Sequence, residues 1–268
     1  MQLTASQIDR FRKDGFLVLP NLFSAEEVAV LRAALPVVYA EDTPANIREK
    51  RSGKVRTSMG LHLRHDAFAR LVRHPRLIEP AIQILGDDRL YVQQVKVNTK
   101  PAFDGEIWQW HYDFATHHNG DGVPAPLALN LHVFLDDVTE FNGPLWFIKG
   151  SHRDDPVAAM FDAETTSYAF WVVDNDSVTR LVEKGGIASA TGPAGTALIF
   201  VDGIVHCSPS NMSPWNRQIF SLIVNPVSNA PTRRRRPDYQ HHHDLAPIVP
   251  LADDCLVAHA KSPVEAVG

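Results

Sequence analysis

Three stretches of the chain carry a histidine and an acid two residues apart: His111-Tyr112-Asp113, His152-Arg153-Asp154 and His242-His243-Asp244. On or just after a strand, side chains spaced in this way project to one side of the chain. Imidazole and carboxylate suit iron(II), and two histidines with one carboxylate occupy one face of its octahedron, leaving the rest open for a cosubstrate and O2. The spacing alone is common, so context must separate the copies. His111 ends the alternating aromatic run IWQWHYDF, at what would be the mouth of a barrel. His152 follows Gly150-Ser151 and precedes Asp154-Asp155, which reads as a turn leaving a strand. His242 sits in a polar segment after four arginines. This selects His111 and Asp113, and the second histidine must come from a distant strand. His206 ends the apolar hairpin in GTALIFVDGIVHCSPSNMSPWNR, although a satisfied core histidine is the competing reading. Arg217 lies eleven residues later and opens the strand RQIFSLIVN. An arginine aimed into an apolar barrel is costly unless paired. A carboxylate of 2-oxoglutarate would pair with it in bidentate fashion, whereas the plain alternative is a surface arginine at a strand start.

The elements that must position these groups follow from periodicity. Thr4 to Asp14 reads as a short helix capped by Thr4, stopped by Gly15 and followed by the strand FLVLP. Ser24 and Glu27 form a capping-box pattern for a helix to about Leu35, where Pro36 should interrupt it. Residues 41–60 read as a polar loop, and 66–86 as two helical pieces with Pro75 and Pro80 in their first turns. After Gly86 the period changes to two. LYVQQVKVNTK, IWQWHYDF, LALNLHVFLDDV, PLWFIKGSH, GTALIFVDGIVHCS and RQIFSLIVNPV read as strands separated by turn residues. The fold expected is mostly β, a double-stranded β-helix (a jelly roll of the cupin kind) buttressed by N-terminal helices. One domain covers 1–268, with helical support over 1–86, the jelly-roll core over 87–229 and a C-terminal segment over 230–268. Within the core, 154–190 reads as an insertion able to act as a lid.

Composition excludes other classes. A net charge of -5 argues against a nucleic-acid binder. The N-terminus lacks a secretory pattern, and no apolar run reaches the ~18–20 residues of a membrane helix. Two cysteines, Cys207 and Cys255, make no disulfide framework. The expectation is a cytoplasmic protein, monomer or homodimer, without membrane or nucleic-acid partners.

Beyond the residues themselves, the chain resembles the phytanoyl-CoA dioxygenase superfamily of Fe(II)/2-oxoglutarate oxygenases. Within it, the likeness is to the bacterial branch that hydroxylates free amino acids such as proline and leucine, and more distantly to the ectoine hydroxylases. The likeness runs nearly end to end, through LVRHPRLIEPAIQIL, VKVNTKPAFDGEIWQWHYDF, DGVPAPLALNLHVFLDDVTEFNGPLWFIKGSH, TGPAGTALIFVDGIVHCSPSNMSPWNR and Arg236-Pro237-Asp238-Tyr239. It implies that His111, Asp113 and His206 bind iron and that Arg217 binds the distal carboxylate of 2-oxoglutarate. It also implies that Ser208 assists that carboxylate and that Asn98 contacts the cosubstrate. The bland readings of Ser208 and Asn98 are a turn hydroxyl and a strand-edge amide. Tyr112 departs from the glutamine that relatives often carry there, but strand alternation should turn it away from the iron. Ala115-Thr116-His117-His118-Asn119 is unusual and borders the substrate region in the family.

The implied reaction hydroxylates an unactivated C–H bond and releases succinate and CO2, with O2 as oxidant and ascorbate as an activator. Retention of the carboxylate at Asp113 favours hydroxylation over halogenation, while desaturation or cyclisation uses the same chemistry. The expected substrate is a free L-amino or imino acid resembling proline, pipecolate or leucine. A natural-product intermediate or a compatible solute is the alternative. Lys96, Arg56 or one of Arg233 to Arg236 could meet the substrate carboxylate, and Asp121 or Asp136 its ammonium. The arginine run reads first as a solvated loop, and Trp108, Trp110, Phe114 and Trp146 read first as barrel core. Two other classes compete: a cupin-type metalloenzyme that does not use 2-oxoglutarate, and a non-catalytic binding module. Arg217 is unnecessary in the first, and an intact triad with its arginine argues against the second.

Overall fold

Side-chain caps start the helices at the positions their sequence patterns mark. The computed structural model describes residues 1–154 and 157–261, so residues 155–156 of the insertion and 262–268 of the C-terminal segment lie outside the described residues. Helix α1 (Ala5–Asp14) has a capping box between Thr4 and Gln7 and ends at Gly15, whose φ of 86° lets the chain turn directly into β1 (Phe16–Leu19). Helix α2 (Ala25–Ala40) is capped by Ser24 with Glu27. It does not stop near Leu35 but runs through Pro36. Pro36 is exposed, where water can replace the lost backbone hydrogen bond, and Leu31, Leu35 and Val38 keep one buried stripe.

Residues 41–60 are not simply a loop. They contain β2 (Asn46–Arg48) and the buried β3 (Val55–Met59). Polar residues hid these strands, because Arg56 and Ser58 find hydrogen-bond partners inside the protein and Thr57 is buried between them. Next come α3 (Asp66–Leu71) and α4 (Pro75–Leu85). Pro75 does occupy the first turn of α4, but Pro80 lies inside the same helix, so it opens no new one.

The remaining elements build two facing sheets. They are β4 (Leu90–Lys100), β5 (Trp108–His111), α5 (Asp113–Thr116), β6 (Leu129–Phe134), β7 (Leu145–Ile148), β8 (Ala159–Asp162) and β9 (Phe170–Val173). After these follow α6 (Asn175–Gly185), β10 (Ile187–Ala190), β11 (Ala197–Val201), β12 (His206–Ser208), β13 (Arg217–Pro226) and α7 (Cys255–Lys261). The strand expected over IWQWHYDF ends at His111, and Asp113 begins a helical turn. The larger sheet has the order β1-β11-β6-β13-β4-β3-β2 and the smaller one β10-β7-β12-β5, while β8 and β9 pair separately as a hairpin. Every strand pairing is antiparallel. This is a jelly roll, two sheets packed face to face with helices on one outer side.

Alternation places the site. Along β4, Val95 and Val97 join the core under the helices, while Gln94, Lys96 and Asn98 face into the barrel. Along β6, Leu129, Leu131 and Val133 do the same, and Asn130 and His132 face inward. Because helices cover the outer face of this sheet, its polar phase lines the interior. Cys207 and Cys255 are buried free thiols. Among the described residues no helix is long and apolar enough to cross a membrane.

Candidate metal and cosubstrate site

The barrel mouth brings β5 beside β12, with His111 directly opposite His206 in the register. The turn after β5 adds Asp113. One ligand atom from each of His111, Asp113 and His206 lies within 4.8 Å of the others. The two imidazole rings sit 4.2 Å apart centre to centre. His111 Nδ1 contacts the Gln109 carbonyl at 2.6 Å and His206 Nδ1 the Ile204 carbonyl at 3.0 Å. A carbonyl can only accept, so each Nδ1 donates and each Nε2 keeps its lone pair for a metal.

Electrostatics agree with that donor set. Burial pushes His111 down to about 3 and also lowers His206, so both imidazoles are neutral. Burial works to raise the Asp113 carboxyl, but His206, Lys96, His111 and His117 outweigh it and hold the group well below the usual carboxylate range. Two neutral nitrogens and an ionised oxygen are what a divalent cation requires. Among the described residues the other two His-X-acid stretches form no such cluster. His152 Nε2 contacts the Arg12 carbonyl at 3.1 Å, and the His242 ring packs edge-on against His62. Tyr112 points away from the triad, with its hydroxyl donating to the Val157 carbonyl at 2.9 Å.

The triad lines an open cavity whose walls also include Lys96, Asn98, Ser208 and Arg217. Arg217 is 1 % exposed and, among the described residues, pairs with no carboxylate. Its Nε and Nη2 donate to the Gly143 carbonyl at 3.0 and 2.8 Å, and Nη2 donates to Ser208 Oγ at 2.9 Å. Ser208 in turn donates to the Gly143 carbonyl at 2.9 Å. Gly143 has φ 80°, and a Cβ there would meet the Pro209 carbonyl at 2.7 Å, so only glycine presents this acceptor without strain. Burial pushes the Arg217 guanidinium down to about 9, which still leaves it charged at neutral pH. The cavity also holds buried polar atoms without partners: Asn98 Oδ1, both amide atoms of Asn130 and both ring nitrogens of His132. A buried cation without a counter-anion, beside unsatisfied polar groups, fits an oxygen-rich dicarboxylate guest.

The expectations about substrate contacts divide. Lys96 reaches the cavity, and burial lowers its pKa. Arg56 does not line it. It pairs with Glu49 and Glu106 and stacks over Trp108 at 4.2 Å, so it supports the wall from behind. Asp136 is bound to Arg32 and to the Gln218 amide, away from the cavity. The solvated-loop reading of the arginine run holds for Arg233 to Arg235, which are exposed, and fails for Arg236. Arg236 lines the cavity and grips fully buried Asp121 through Nε at 2.8 Å and through Nη2. Trp108 is a cavity wall rather than sealed core, while Trp110 packs in a separate outer cluster. Phe114 lines a second, smaller cavity. His117, from the unusual stretch 115–119, lines the cavity as well, and so do Asn130, His132, Tyr168 and Phe170, which the sequence did not single out. The signal for Asn130 and His132 was their inward phase in an otherwise apolar strand. Tyr168 and Phe170 come from the β8–β9 hairpin and gave no such signal.

Acid should weaken the metal-free fold. His62, His74, His111, His132, His152, His206 and His241 are all lowered from 6.5, chiefly by burial. Below 6.5 the unfolded chain therefore binds more protons than the native one, and stability falls as pH falls. Glu49, Asp136 and Asp202, raised by burial, act in the opposite sense but are outnumbered. The melting temperature of chelator-treated protein should drop between pH 6.5 and about 5; a flat or rising trend would contradict this.

A model of the phytanoyl-CoA dioxygenase (PhyH) family matches residues 11–219. The L-proline trans-4-hydroxylase of Streptomyces griseoviridis is 37 % identical over 269 residues, covering 96 % of this chain and 100 % of that one. The ectoine dioxygenase of Bordetella bronchiseptica is 38 % identical over 239 residues, covering 85 % and 77 %. The crystal structure of EctD from S. alaskensis with 2-oxoglutarate and 5-hydroxyectoine superposes with a TM-score of 0.82 at 32 % identity, covering 93 % of this chain and 87 % of that one.

Proposed function

The chain belongs to the phytanoyl-CoA dioxygenase (PhyH) family, and from that premise we propose that it is an Fe(II)/2-oxoglutarate-dependent hydroxylase of a small zwitterionic substrate. The substrate class is a free L-amino or imino acid of proline, pipecolate or leucine type. The observation that carries the reading is Arg217, a buried cation that pairs with no carboxylate among the described residues, in the same cavity as His111, Asp113 and His206. A cupin-type metalloenzyme without 2-oxoglutarate would have no use for it.

His111, Asp113 and His206 hold the iron. When bound, iron(II) with 2-oxoglutarate and O2 supplies the oxidation that turns C–H into C–OH, with succinate and CO2 released. Arg217 and Ser208 bind the distal carboxylate of the cosubstrate, and Gly143 fixes both of them. Asn98 contacts the cosubstrate from β4. Arg236, fixed by Asp121, offers its charge to the substrate carboxylate. Tyr168 and Phe170 wall the site, with Phe170 edge-on to His111 at 4.9 Å, so these two rings shield one side of the reacting centre from water.

Replacing the arginine that meets the substrate should cost binding and leave the cosubstrate alone. Arg236→Ala is expected to raise the substrate KM roughly 10–100-fold, with the 2-oxoglutarate KM changed less than about threefold. Initial rates at varied substrate and varied cosubstrate separate the two. A compatible solute is the second reading, favoured by the 38 % identity to an ectoine dioxygenase. Anaerobically purified protein with Fe(II), 2-oxoglutarate and ascorbate, offered proline, pipecolate, leucine, isoleucine, lysine and ectoine, decides between them by mass spectrometry. An oxygenated amino acid formed with matching succinate supports the first reading, and oxygenated ectoine alone the second. Succinate without any product removes both substrate classes.

A further inference from the structure

We propose that His117, held by Asp202, takes the ammonium or secondary ammonium nitrogen of the substrate; this rests on reading the site as one for a free amino or imino acid. His117 is 2 % exposed, lines the cavity next to Thr116, and opens the π-helical turn His117–Asp121. Turns of that kind are rare and are often found at functional sites. Asp202 is fully buried in the turn after β11. Its Oδ2 accepts from His117 Nδ1 at 3.2 Å, while Oδ1, 3.0 Å from the same nitrogen, has no aligned hydrogen bond. A carboxylate behind Nδ1 fixes the tautomer with its proton there, and Nε2 is left as an acceptor. That acceptor, backed by an under-satisfied buried negative charge, attracts an N–H cation and repels a carboxylate.

The same turn explains how both ends of a zwitterion are met. Arg236 grips Asp121, four residues beyond His117 on one turn. The C-terminal segment is strapped to that turn, because the Arg233 amide donates to the Asp121 carbonyl at 2.9 Å and the Thr232 amide to the Gly122 carbonyl at 3.2 Å. Arg236 and His117 thus stand on one wall of the cavity. An α-amino acid carries its carboxylate and its nitrogen on one carbon and needs its two partners side by side. Asp202 acts only through His117 and is a positioning residue. The competing account is that the pair merely braces two turns, since the Phe114 amide donates to the Asp202 carbonyl at 3.1 Å.

The two accounts differ in which ligands they affect. Calorimetric titration of the anaerobic iron–2-oxoglutarate holoenzyme would compare amino acids with their nitrogen-free analogues: L-proline with cyclopentanecarboxylate, L-pipecolate with cyclohexanecarboxylate, and L-leucine with 4-methylpentanoate. Wild type should favour the nitrogen-bearing member of its pair by roughly 100-fold, and His117→Phe should cut that ratio about tenfold or more. Affinity for the analogue and for 2-oxoglutarate should stay unchanged in the variant. Asp202→Asn keeps an acceptor for Nδ1 and removes the charge, so it should lower the ratio by a smaller factor; it answers the question even if His117→Phe does not fold. An unchanged ratio in Asp202→Asn and in any folded His117→Phe, or equal weakening of both ligands, overturns the proposal in favour of bracing. A wild-type holoenzyme that takes 2-oxoglutarate but none of the amino acids overturns the amino-acid reading itself, and this proposal with it.

Discussion

Asp113→Ala should abolish hydroxylation and succinate formation, by at least about 10³-fold, while leaving the apo fold intact. Asp113 supplies the only ionised oxygen of the triad, beside two imidazoles that burial keeps neutral. Without it the remaining donors are His111 and His206, and the charge that draws a divalent cation into the barrel is gone. The fold should tolerate the change, because the carboxylate sits 3.7 Å from His111 Nε2 in a metal-binding cluster rather than in a structural ion pair with arginine. Because its neighbours hold this carboxylate ionised, losing it lowers the apo melting temperature somewhat without unfolding the chain. The checks are product and succinate per enzyme, iron retained after desalting, and the melting curve. Activity within tenfold of wild type in a folded variant would show that the triad is not the iron site.

Arg217→Gln should raise the 2-oxoglutarate KM on the order of 10²-fold and change the substrate KM far less. The guanidinium reaches the cavity with its charge paired to no carboxylate among the described residues, and the Gly143 carbonyl and Ser208 hydroxyl hold its orientation. Glutamine preserves some hydrogen bonding and removes the charge and the fork. Arg217→Lys should recover only part of the loss, because an ammonium cannot present two parallel donors. Cosubstrate saturation curves at fixed substrate provide the measurement. A variant that loses substrate affinity while keeping the 2-oxoglutarate KM would move Arg217 to the substrate end of the cavity.

How much of this could be read from residues alone depends on where each signal lay. His111 and Asp113 stand out because the aromatic alternation of IWQWHYDF runs through them, although the strand itself ends at His111. His206 and Arg217 were legible because each bordered an apolar strand in which a charged or ligating side chain is hard to explain otherwise. The capping boxes at Thr4 and Ser24 were local chemistry, visible within four residues. The misses were cases where tertiary context replaced solvent. Arg56 and Ser58 made a buried strand look like a loop, because their partners Glu49, Glu106 and Asn46 are revealed only by folding. Pro36 suggested a helix end, yet the buried stripe on the other side of α2 was worth more than one backbone hydrogen bond. Arg236 was hidden in a run of four arginines, three of which are exposed, and only the placement of Asp121 separates it from its neighbours. His117 was noticed as unusual, but its partner Asp202 lies 85 residues away and no spacing rule connects them.

The most direct test of the central claim is a reaction under isotopically heavy O2. Iron-loaded protein with 2-oxoglutarate and its accepted substrate would be exposed briefly, and succinate and product weighed by mass spectrometry. One heavy oxygen atom in succinate and one in the new hydroxyl group, in equal amounts, is the predicted result. Product whose oxygen comes from water, or turnover that leaves 2-oxoglutarate intact, would contradict an oxygenase built on His111, Asp113, His206 and Arg217.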